Sequence, residues 1–297
     1  MKRQLWALAC VALLFAPSAQ AALTHRYSFN DGTANDSVGS SNGTLVGTNG
    51  SISGGQLVLA NTGEGSETPG TAGAFLDLPN GLISSSATPG GAVTVEMWLT
   101  MSQNRDWAAA FSAGVSINGE NTSNCCNDDQ PYIQVIPRTG DGGQGNDVRV
   151  TSNSFGGPEG WVDDLGAANG TDLTVGQQEH VVSVFDQSGG LPGSITVYRN
   201  GALMGTAPIA ANLDLKTFLR ANNTGGDVNV WVGRSQWPDS LMAGSVNELR
   251  IYNSALSAAN ALANFSAGPD AVVPEPATVV LASLVLVGGF VARRRVS

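Results

Sequence analysis

Apolar and polar residues alternate along most of the chain. Leu23, His25, Tyr27 and Phe29 alternate with Thr24, Arg26 and Ser28, and Val93, Val95, Met97 and Leu99 alternate with Thr94, Glu96 and Trp98. A period of two puts successive side chains on opposite faces of an extended segment, so both runs predict half-buried strands. Further strand-like runs are Gln56–Ala60, Ala74–Leu78, Tyr132–Ile136, Val148–Thr151, His180–Asp186, Val228–Gly233 and Gly244–Tyr252. Ser194–Arg199 leads through Asn200-Gly201 into Ala202–Gly205, and Asn-Gly between two such segments favours a type I′ hairpin, whose central residues both need positive φ. One helical stretch of moderate length stands out, Ala255 to Phe265, and no repeat of solenoid period is present. Some twelve short strands joined by tight turns predict an all-β fold, an antiparallel two-sheet β-sandwich. The 247 residues from Ala22 to Gly268 suit one such domain.

The two ends break the pattern. Met1-Lys2-Arg3, the apolar run Leu5–Phe15 and the exit Ala19-Gln20-Ala21 have the order of a secretory signal peptide cut after Ala21, residues 1–21. At the other end Ala277 to Ala292 carries no charge and is closed by Arg293-Arg294-Arg295. Sixteen residues span roughly 24 Å as a helix, slightly short of a hydrocarbon core, and the arginines hold that end in the cytoplasm. Val273-Pro274-Glu275-Pro276 stands in front of the helix. Motif, short transmembrane helix and Arg cluster together, within residues 269–297, resemble a PEP-CTERM sorting signal. The resemblance implies a Gram-negative host and removal of the tail by an exosortase-type membrane protease. Contact with the membrane would be transient, at an inner-membrane intermediate. The protein would then reach the cell surface or an extracellular exopolysaccharide matrix.

Charge and cysteine content narrow the partners. Without the leader and the segment from Val273, nine basic and 23 acidic residues remain, a formal charge of −14. Nucleic acid is disfavoured, because phosphate contacts need a basic stripe; an acidic surface suits solubility or divalent cations outside the cell. The exported part keeps only the adjacent Cys125 and Cys126. Such a pair cannot staple distant strands; it forms a vicinal disulfide or stays as two thiols.

Several segments together resemble the laminin-G-like, concanavalin A-type jelly roll, over residues 22–268. They are His25-Arg26-Tyr27-Ser28-Phe29, Asp36-Ser37-Val38-Gly39, Val95-Glu96-Met97-Trp98, Tyr198-Arg199-Asn200-Gly201, Gly233-Arg234-Ser235-Gln236-Trp237, and the block from Gly244 to Asn253. The resemblance implies two sheets packed face to face and a module used mainly to bind carbohydrate or protein. It also implies a calcium site near the Asp36 loop and the Glu248 strand. Asn247 stands where the pattern usually has Asp and removes one charge from that site. A turn-capping Asp36 is the alternative reading.

Catalytic chemistry is hard to find. A retaining glycosidase needs two carboxyls about 5–5.5 Å apart, on one strand at i and i+2, and no strand-like run offers that pattern; Glu96 stands alone. Gly39-Ser40-Ser41-Asn42-Gly43 matches the nucleophile-elbow string without the strand and helix the elbow requires. The two histidines, His25 and His180, occupy strand positions. Trp107, Trp161 and Trp237 lie instead among Gly, Asn and Asp, where an aromatic face with adjacent polar groups can hold a sugar or, alternatively, plug the core from a loop. The expectation is an exported, non-catalytic module binding a glycan or matrix component. The alternatives are a secreted glycan hydrolase and a structural matrix protein that binds nothing specific.

Overall fold

The computed structural model describes residues 22–115, 120–122, 130–140, 147–154, 156–163, 171–219 and 226–271. The signal segment, Cys125-Cys126, and the sorting residues Pro274, Glu275, Pro276, Arg293, Arg294 and Arg295 lie outside the described residues. Among the described residues no helix is long and apolar enough to cross a membrane.

In chain order the strands are β1 (Leu23–Tyr27), β2 (Thr44–Val46), β3 (Gly50–Ser53), β4 (Gln56–Ala60), β5 (Phe75–Leu78), β6 (Ala92–Met101), β7 (Phe111–Gly114), β8 (Tyr132–Ile136), β9 (Arg149–Asn153), β10 (Gly160–Asp163), β11 (Gln178–Asp186), β12 (Ser194–Arg199), β13 (Ala202–Pro208), β14 (Asn229–Val232) and β15 (Ala243–Tyr252). Helix α1 (Leu82–Ala87) follows β5, and α2 (Ala258–Ala267) follows β15. The larger sheet runs β13-β12-β11-β6-β15-β4-β3, with β1 also on β15; the smaller runs β10-β9-β8-β7-β14-β5-β2. All pairings are antiparallel. The two sheets form the antiparallel sandwich that the alternation predicts, of the jelly-roll kind that the family resemblance implies.

Inward residues of both sheets share one core: Val93, Val95, Met97 and Leu99 from β6 meet Phe111, Ile133, Val135, Val150, Val230 and Val232. The predicted hairpin is present, with Asn200 at φ 51° and Gly201 at φ 78°. The helix after β15 starts at Ala258, later than expected, because the Ser257 side chain accepts the Asn260 N–H at 3.2 Å and caps it there.

One expectation is corrected. The polar positions of β6 do not face solvent: Thr94, Glu96 and Trp98 are buried, as is His180 on β11. Helix α2 lies over them, with Asn264 on Glu96 and Phe265 stacked on His180 at 5.9 Å. Glu96 therefore becomes a packed ion-pair centre. His180 Nε2 is 2.9 Å from its Oε1, Tyr252 donates to Oε2 at 2.7 Å, and Arg250 Nη1 approaches to 3.5 Å. Burial pushes the Glu96 carboxyl up, but His180, Arg250 and Tyr252 outweigh it and hold it below the usual glutamate range. With no solvent access it has no substrate to act on.

Candidate functional site

The outer face of the smaller sheet carries a pocket of about 320 Å³. Its floor follows from the strand period: with Ile133, Val135 and Val150 turned into the core, Tyr132, Gln134 and Ile136 of β8 and Arg149 and Thr151 of β9 point outward. Its walls come from turns. Trp107 precedes β7, Glu159 precedes β10, and Trp237, Pro238 and Asp239 lie between β14 and β15. Trp107 sits at φ 62°, a left-handed conformation that a bulky residue rarely adopts and that costs of order 1–3 kcal/mol. Its N–H donates to the Arg138 carbonyl at 2.9 Å.

Hydrogen bonds pre-set the walls. Trp237 Nε1 donates to the Tyr132 hydroxyl at 3.0 Å, and that hydroxyl donates to Glu159 Oε1 at 3.3 Å. The two rings meet edge to face, 6.4 Å apart at 89°. Thr151 donates to the same Glu159 oxygen at 2.5 Å. Ser235 Oγ accepts from Gln134 Nε2 and the Trp237 N–H and donates to Asp239 Oδ2 at 3.0 Å. The turn carrying Trp237 and Asp239 is anchored from below by Ser66, which receives Arg234 Nε and the Ser235 N–H.

Electrostatics separate the pocket's charges. Arg149 is clamped by Asp163 through Nε at 2.5 Å and Nη2 at 3.0 Å, and its guanidinium lies 5.2 Å from the Trp107 ring and 5.4 Å from the Trp161 ring. Burial, then the Glu159 charge, pushes the Tyr132 hydroxyl up, so it stays protonated. Burial pushes the Asp239 carboxyl up to about 6, with the Ser235 hydroxyl partly offsetting it.

The structure thus brings Trp107 and Trp237 into one pocket, with Trp161, 44% exposed, just beyond Arg149. Sequence reasoning missed Tyr132, Arg149, Glu159 and Asp239. A signal for the two carboxylates exists: each lies two residues from a Trp and beside a Pro, in Pro158-Glu159-Gly160-Trp161 and Trp237-Pro238-Asp239.

Asp36 and Glu248 are linked through Arg26 but do not fit a calcium ion. Asp36 Oδ1 accepts the N–H groups of Arg26, Val38 and Gly39, and Oδ2 accepts that of Ser41 and lies 2.6 Å from His25 Nδ1. These bonds overcome burial and hold its carboxyl below the usual aspartate range. Glu248 takes Arg26 Nε and Nη2, both at 2.9 Å, and Arg250 Nε. Every carboxylate oxygen already faces a donor, whereas calcium wants six to eight free oxygens. Among the described residues no group of three or more His, Cys, Asp or Glu is placed to hold a metal. Asp36 instead organises the turn, which explains Gly39: a Cβ there would meet Asp36 Oδ2 at 2.5 Å.

Residues 69–261, most of the sandwich, match the family model of the concanavalin A-like lectin/glucanases superfamily. The chain belongs to that superfamily. Residues 272–295 match the PEP-CTERM protein-sorting motif, which indicates an exported protein routed through the membrane to the cell surface and implies processing by exosortase-type machinery. Among solved structures the superfamily domain is similar to domain 4 of AbnA, a GH43 extracellular arabinanase from Geobacillus stearothermophilus. The TM-score is 0.55 at 21% identity, over 82% of this chain and 98% of that one. It is also similar to the botulinum neurotoxin serotype D/C VPI 5993 binding domain, with TM-score 0.51 and 11% identity, over 82% of this chain and 51% of that one. The chain spans about half the length of that toxin domain, and at these identities the likeness is one of fold. No curated protein matches the chain.

Proposed function

We propose that the protein is an exported carbohydrate-binding module that holds a sugar in the pocket between Trp107, Tyr132 and Trp237 and has no catalytic activity of its own. The observation that carries this reading is the pocket itself. Three aromatic side chains and the polar groups of Gln134, Arg149, Glu159 and Asp239 converge on about 320 Å³ outside the core, the mixture by which ring faces and hydrogen bonds hold a sugar. The similar arabinanase domain was determined with arabinotriose and a botulinum neurotoxin DC binding domain with SialylT, which supports a glycan as the ligand. In this reading the leader ends at Ala21 and the mature chain near Val273 to Pro276, with the domain on the surface or in the exopolysaccharide of a Gram-negative cell; the sorting motif at 272–295 supports the export. Recovery of intact Arg293-Arg294-Arg295 from surface material overturns that processing.

A glycan array run with the wild type and Trp237→Ala tests the binding reading. Binding that falls at least tenfold in the variant supports it; a flat array leaves the structural-matrix alternative. One observation favours the hydrolase alternative: Glu159 and Asp239 both line the pocket, and Asp239 holds its proton to about pH 6, as a general acid does. Release of reducing ends from a bound glycan, abolished by Glu159→Gln, would replace binding with hydrolysis as the activity.

A further inference from the structure

We propose that the pocket selects its glycan by charge, taking neutral and amino sugars and rejecting those that carry uronate or sulfate. The proposal rests on the reading that the pocket binds sugar. Acidic glycans are ordinarily received by an Arg fork with free donors. Among the described residues lining this pocket the single cation, Arg149, already spends its fork on Asp163 at 2.5 and 3.0 Å and turns toward the Trp107 and Trp161 rings. The nearby Arg138 is likewise committed, to Asp106 at 2.7 Å and Asp172 at 2.6 Å.

The carboxylates are not balanced in the same way. Glu159 receives only the neutral hydroxyls of Thr151 and Tyr132, and Asp239 receives the hydroxyl of Ser235. With Arg149 and Asp163 paired, Glu159 and Asp239 are the carboxyl groups that no cation faces among the described residues of the pocket. The formal charge of −14 between the leader and the tail acts in the same direction at longer range. An ammonium group on a sugar meets carboxylates there, a hydroxyl meets acceptors, and a carboxylate or sulfate meets repulsion in a partly enclosed cavity.

The test is titration calorimetry on the exported protein with size-matched neutral, amino and uronate oligosaccharides chosen from the array. At pH 7.5 the uronate member should bind at least tenfold more weakly than the neutral one. The gap should narrow at pH 5, where Asp239 is protonated, and in Glu159→Gln/Asp239→Asn. Should the double variant not fold, Glu159→Gln alone, at an exposed position, must narrow it. A uronate or sulfated glycan bound as tightly as its neutral counterpart, with that binding lost in Trp237→Ala, overturns the charge selection and leaves the pocket standing. Binding unaffected by Trp237→Ala, or no binding at all, overturns the pocket reading and the selection with it.

Discussion

Replacing Glu96 by Gln tests whether the lone carboxylate of β6 is structural. Gln keeps the shape and one acceptor, but its amide nitrogen replaces the oxygen that receives Tyr252 and faces Arg250 Nη1. Breaking a buried ion pair from one side costs about 3–5 kcal/mol. Arg250 keeps Glu248 and the carbonyls of Pro269 and Ala271, so we take the lower end, about 3 kcal/mol. For a domain of this size that lowers Tm by roughly 6–12 °C. Thermal and urea unfolding of the secreted protein read the change. A double-mutant cycle with Arg250→Met should show coupling above about 1 kcal/mol. Glycan binding per folded molecule should not change, because the pocket is on the other sheet. A stability loss below about 1 kcal/mol, or loss of binding by a folded Glu96→Gln protein, would refute the reasoning.

Three further outcomes follow from the geometry. Tyr132→Phe strips the hydroxyl between Trp237 and Glu159; calorimetry should show roughly five- to tenfold weaker binding with about 1 kcal/mol lost in stability. Burial pushes the Asp239 carboxyl up to about 6, above the usual aspartate range. The folded state therefore binds its proton more tightly, and stability falls as pH rises through that window. Asp239→Asn should accordingly be more stable than the wild type at pH 7, by about 1 kcal/mol after allowance for solvent screening, and no different near pH 4; a gain that persists at pH 4 would contradict the burial explanation. Calcium should leave the Tm of the domain within about 1 °C of its value in chelator, since saturation of a real site a hundredfold above its Kd would add about 2.7 kcal/mol.

Much of the sandwich is legible locally. β4, β8 and β12 match the predicted runs residue for residue, because a period of two is written in adjacent residues. β7 escapes notice, since Phe111-Ser112-Ala113-Gly114 is short and built from small residues, as does β10, where Gly160-Trp161-Val162-Asp163 looks like a turn. β6 is legible as a strand but not as a strand buried on both faces, since α2, which covers it, lies about 160 residues downstream.

By itself the sequence determines the strand pattern, the Asn200-Gly201 hairpin, the acidic charge and the sorting motif, all properties of neighbouring residues or of their sum. It also marks Trp107, Trp161 and Trp237 as aromatics in polar surroundings. Only the tertiary structure decides that Trp107 and Trp237 share a cavity with Tyr132, that Glu159 and Asp239 join them, and that Arg149 is spent on Asp163. It also decides that Asp36 and Glu248 give their oxygens to N–H donors. Those facts depend on which strands pair and which turns meet, over separations from 14 residues for Arg149 and Asp163 to 222 for Arg26 and Glu248, and no local period records them.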